Sequence, residues 1–132
     1  MEKGEWKREK GPRTRRPATI VERVEDFAVR AVGLFRYLQD QPDRAGWVIG
    51  KQFLRAATSV GANAEEAQDA SSRKDFVHRF SIALREAWEA RYWLRIMRRT
   101  GMVPPERLDS LLDEAGEIYA ILNAIVRKAR QP

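Results

Sequence analysis

Apolar side chains recur at three-and-four spacing through four long segments of this chain, and no segment offers a strand candidate, so the fold must be helical. The most demanding stretch is 49–97, which holds two of these patterns, neither able to bury its apolar surface alone. In its second half, Phe76, Phe80, Ala83, Ala87 and Leu94 make one stripe, while Val77, Leu84, Trp88 and Tyr92 continue around the helix. Trp93 and Ile96, with Ile82, lie beyond both. One bundle core cannot cover that circumference, so Trp88, Tyr92, Trp93 and Ile96 are expected to form an interface between copies of the chain.

The boundaries of four helices follow from local chemistry. Thr19 and Glu22 have the spacing of a capping box before a stripe from Val24 to Leu38, and Gln41-Pro42-Asp43 ends that helix near Gln39. A second helix begins near Arg44 and carries a seam of mostly small residues: Ile49, Phe53, Ala56, Ala57, Val60, Ala64 and Ala67. Gly61 reads as a packing residue of this seam, and Asn63 at its border as a hydrogen-bonded residue that sets register. Ser72 and Asp75 repeat the capping spacing before the third helix, and Gly101 suits the left-handed residue that ends it. Pro105 and Glu106 open a fourth helix whose stripe runs from Leu108 to Ala129. Four such helices joined by short polar turns predict an all-α, antiparallel up-down four-helix bundle over residues 18–132.

Composition then narrows the setting. The chain has 132 residues, enough for one domain, and no cysteine, which excludes disulfides and thiolate metal sites. No apolar run is long enough to span a bilayer, so no membrane role and a cytoplasmic location are expected. The formal net charge is +6, and residues 1–16 account for +4 of it, with seven basic groups against Glu2, Glu5 and Glu9. Residues 1–17 show no apolar period and read as a disordered basic arm. Arg13, Arg15 and Arg16 of that arm are candidate phosphate contacts. A second basic cluster, Arg91, Arg95, Arg98 and Arg99, crowds the end of the third helix. There positive charge complements the helix dipole and can equally grip phosphate or an acidic partner.

The stretch Gly50-Lys51-Gln52-Phe53-Leu54-Arg55-Ala56-Ala57-Thr58-Ser59-Val60-Gly61-Ala62-Asn63, followed by Glu66-Ala67, resembles the four-helix-bundle proteins encoded within intervening sequences of bacterial 23S rRNA genes. Asp75-Phe76-Val77, Ile82 through Ala87, Tyr92-Trp93-Leu94 and the run from Leu111 to Ile118 resemble the same family, with coverage from about residue 20 to 129. Ser59, Gly61, Asn63 and Glu66 are its structural motif here. The resemblance implies a ring-shaped homo-oligomer, a pentamer, without enzymatic activity. More distantly, the chain is similar to accessory variability determinants of diversity-generating retroelements, which implies RNA or DNA and a reverse transcriptase as partners.

No catalytic constellation competes with this reading. One histidine cannot supply a di-iron bundle site, and Asp75 with His78 is better explained as a helix start. Glu65, Glu66 and Asp69 fall on a polar surface, and no phosphate loop or nucleophile elbow is present. The expectation is therefore a non-enzyme without cofactor or small-molecule substrate, serving as a scaffold that contacts nucleic acid. The alternative is a protein–protein adaptor with no nucleic-acid role.

Overall fold

Each of the four expected helices forms, and the cap chemistry sets the ends. The computed structural model describes residues 18–132, so the arm at 1–17, with Arg13, Arg15 and Arg16, lies outside the described residues. Helix α1 spans Ile20–Gln39, α2 Arg44–Ala67, α3 Arg73–Arg99 and α4 Pro105–Arg130, with no strand among the described residues. The Thr19 hydroxyl accepts from the Glu22 amide at 3.2 Å and the Glu22 carboxylate accepts from the Thr19 amide at 2.9 Å, a closed capping box. At α3 the box is half closed. Ser72 accepts from the Asp75 amide at 3.0 Å, but the Asp75 carboxylate takes the Ser71 amide at 3.3 Å, one residue early.

The end of α3 is equally explicit. Gly101 adopts φ +72°. Its amide donates to Arg98 at 3.2 Å and the next amide, of Met102, donates back to Met97 at 3.1 Å, which turns the chain and satisfies carbonyls that the helix leaves open. A side chain here would be strained, so this glycine is required by backbone shape.

Cross-helix pairs show that neighbours run antiparallel. Phe27 of α1 meets Phe53 of α2 edge-to-face at 6.0 Å, and Gly61 lies against Val24, earlier in α1. Arg55 reaches Glu86, whereas Arg79 reaches Glu66. Arg98 pairs with Asp109 and Trp88 with Tyr119, while Arg73 donates to the carbonyl oxygens of Ala129 and Gln131 at the end of α4. Arg23 bridges Glu114 and Glu117, and Arg30 reaches Ser110, closing α1 onto α4.

The core is entirely apolar, with no polar or charged residue buried among the described residues. Phe27, Phe53, Phe80, Leu94, Met97, Ile118 and Leu122 fill it. Close approach of α1 and α2 depends chiefly on Gly50, where an added Cβ would sit 2.8 Å from Leu38 and 3.1 Å from Phe35. At Gly61 the nearest atom would be the Val24 carbonyl oxygen at 3.5 Å, an ordinary contact, so this glycine packs on the seam with room for a methyl group. Asn63 does not reach another helix. Its amide donates to the Ser59 carbonyl at 2.9 Å and hydroxyl at 3.2 Å, so the bond stays within α2. Glu66 does cross, to Arg79 at 2.8 Å.

Candidate functional site

Helix α3 has two outward flanks, and its side chains meet different company on each. Toward α2, Trp93 is half-buried against the core and donates its indole N–H to Glu89 at 2.9 Å. Arg55 pairs with the same Glu89 carboxylate and with Glu86 at 3.2 Å. Burial disfavours the Glu89 charge, but the Trp93 bond and then Arg55 outweigh it and hold the carboxyl below the usual glutamate range. The same contact holds Arg55 firmly protonated.

Toward α4 the arrangement is open. Trp88 is 53% exposed and leans on Tyr119 of α4, with ring centroids 5.8 Å apart and planes tilted by 54°. Ser81, Leu84, Arg85 and Arg130 complete a cavity of about 440 Å³ around this pair. Arg130 donates to the Ser81 hydroxyl at 3.2 Å, which ties the end of α4 to α3 beside the aromatic pair. No carboxylate lines this cavity.

A second cavity of about 550 Å³ lies farther along the same groove, lined by Arg91 and Arg95 from α3 and by Asp113, Gly116 and Glu117 from α4. Trp88 and Arg95 are about 10 Å apart along the helix axis. Arg91 runs across the surface of α4, 3.8 Å from where a side chain at Gly116 would begin.

The structure thus divides the residues expected from sequence. Trp88 and Tyr92 stay outside the single bundle, Tyr92 at 43% exposure, whereas Trp93 and Ile96 are half-buried. Of the four arginines, Arg98 is paired with Asp109 at 2.9 Å, Arg91 and Arg95 share their cavity with acidic residues, and Arg99 is exposed. Arg85, Tyr119 and Arg130 belong with Trp88, although sequence reasoning did not group them. Ser81, Arg85 and Trp88 share one face of α3 by spacing, a readable signal; the part of α4 requires tertiary structure. A smaller feature lies at the α1–α2 turn, where Trp47 and Val48 are exposed and Lys51 sits 4.6 Å over the Trp47 ring.

Among the described residues no group of three or more His, Asp or Glu is placed to hold a metal ion, and no helix is long and apolar enough to cross a membrane.

Comparison with known proteins places this architecture. No curated protein matches the chain. A solved structure of a protein of unknown function from the S23 ribosomal protein family of Bacteroides thetaiotaomicron is 38% identical, with a TM-score of 0.76 over 82% of this chain and 98% of that one. The family model described as 23S rRNA-intervening sequence protein matches residues 18–124, which include both the small-residue seam of α2 and the aromatic face of α3. The chain belongs to the 23S rRNA-intervening sequence protein family.

Proposed function

We propose that this protein is a cytoplasmic, non-enzymatic, self-assembling helical bundle that binds RNA or DNA through the basic groove between α3 and α4. The observation that carries the reading is the charge of that groove's lower half, the cavity around Trp88, where Arg85 and Arg130 share the lining with the exposed indole and no carboxylate takes part. Arg79 and Arg98 of the same helix are instead paired with carboxylates, Glu66 and Asp109. Arginines without such partners favour phosphate, which they contact at little desolvation cost.

Self-association draws support from Tyr92, which keeps 43% of its surface exposed next to Trp93; in this reading the interface expected at Trp88, Tyr92, Trp93 and Ile96 narrows to the last three, and Trp88 belongs to the groove. A ring of five bundles, as the family resemblance implies, repeats the groove around its circumference and multiplies its affinity for a long polyanion. Filter binding of RNA across a salt series tests the nucleic-acid reading, which expects a steep linear fall of log affinity with log salt. Absence of binding at low salt sinks it. Light scattering tests assembly, and a monomer throughout the micromolar range rejects the ring.

A second reading, a protein–protein adaptor, is favoured by the exposed Trp47 and Val48 beside a cleft of about 430 Å³ at the α1–α2 turn. Loss of partner capture on Trp47→Ala, with RNA binding absent in the parent protein, selects it.

A further inference from the structure

We infer that the cup formed by Trp88, Tyr119 and Leu84, with Arg85 and Arg130 at its rim, receives a base of a single-stranded nucleic acid. The inference rests on the nucleic-acid reading above and narrows it from any polyanion to an unpaired strand. Three observations carry it.

The aromatic pair is held open. At a tilt of 54° the Tyr119 ring supports the indole without lying flat on it, so half of the Trp88 surface remains exposed inside a cavity of about 440 Å³. A wholly solvated tryptophan gains nothing from such backing; a stacking platform needs it to stay in one orientation. The rim is positive. Arg85 and Arg130 line the cavity with the indole from different helices, and the Ser81 hydroxyl steadies the Arg130 guanidinium at 3.2 Å. A base on the indole therefore brings its own phosphate and the next within reach of both arginines.

The groove also continues. Arg91 and Arg95, about 5 and about 10 Å beyond Trp88 along the helix axis, line the adjoining cavity, so a strand leaving the cup meets a second pair of cations. Asp113 and Glu117 face them, but Glu117 is already bonded to Arg23 at 2.7 Å.

Paired bases in a duplex are stacked on each other and cannot offer a face to Trp88 without flipping. Single strands offer one at no such cost, and stacking tolerates any base.

The test compares fluorescence anisotropy of a labelled ten-nucleotide oligouridylate and of a ten-base-pair RNA duplex, at low salt, with the full chain. The single strand should bind more tightly. Trp88→Leu, which keeps apolar bulk but no ring, should weaken it on the order of tenfold, while Trp88→Phe retains most of the affinity. Trp47→Leu, in the separate cleft at the α1–α2 turn, should leave binding unchanged. Light scattering of Trp88→Leu should match the parent protein. Polyglutamate, which carries charge but no bases, should compete poorly.

Equal binding of duplex and single strand overturns the inference, as does a Trp88→Leu protein that binds normally or loses its assembly, or displacement by polyglutamate at equal charge. Each of these leaves polyanion binding standing. Failure of both nucleic acids to bind removes the proposed function itself.

Discussion

The two grooves beside α3 are built from similar residues and end in opposite states. In the α2–α3 groove, Trp93, Arg55 and Arg79 meet Glu89, Glu86 and Glu66, so aromatic and cationic groups are committed to holding the bundle together. In the lower α3–α4 groove, Trp88, Arg85 and Arg130 meet Tyr119, Leu84 and Ser81, and their charge faces solvent. A tryptophan beside arginine is thus no signature by itself. What distinguishes a structural pair from an available surface is whether a carboxylate stands between tryptophan and arginine, as Glu89 does between Trp93 and Arg55.

The contrast can be broken most directly through stability. Trp93→Ala should destabilise the protein by about 2 kcal/mol, less than a fully buried tryptophan because its ring is half-covered. Trp88→Ala should remain within about 0.5 kcal/mol of the parent in urea unfolding. Equal losses would mean that the second groove is as structural as the first.

Binding sharpens the comparison from the other side. Replacing Arg85 and Arg130 together by Gln should weaken RNA binding by about tenfold and reduce the magnitude of the salt slope by about 2. Arg55→Gln and Arg79→Gln, in the other groove, should leave that slope in place, measured by the same filter assay.

Acid addresses the α2–α3 groove alone. The folded-state pKa of Glu89 is lowered, so its contribution is present above the usual glutamate value of 4.5 and is lost as pH falls through the folded one. Glu89→Gln should accordingly be less stable than the parent at pH 7, and the gap should close as pH falls below the lowered folded-state pKa. The difference is below about 1 kcal/mol, since the pair is partly solvated. Smallest of all, Asp113→Asn removes a carboxylate from the upper cavity and should raise RNA affinity about twofold. An unchanged affinity would show that the bound strand stops short of Arg91 and Arg95.

Much of the fold is legible in particular residues. Thr19, Ser72 and Gly101 act where their chemistry places them, because a cap involves residues only three to five apart. Apolar spacing likewise marks Phe27, Phe53, Phe80 and Leu122 as core. The roles of Asn63 and Gly61 are less readable. Whether an amide at a seam border crosses to a neighbour or bonds backward depends on interhelical distance, and whether a glycine is indispensable depends on what faces it. Gly50, against Leu38, proves the tighter of the two.

Local periodicity by itself determines four helices, their ends and the apolar stripe on each, together with an excess of basic and aromatic residues on α3. Tertiary structure decides which of those residues remain available. Arg98 lies opposite Asp109, and Arg85 shares a cavity with Arg130, solely because α3 and α4 pack antiparallel in one register. Side chains separated by 45 positions in the chain are brought together by core packing, and no short-range preference encodes that meeting.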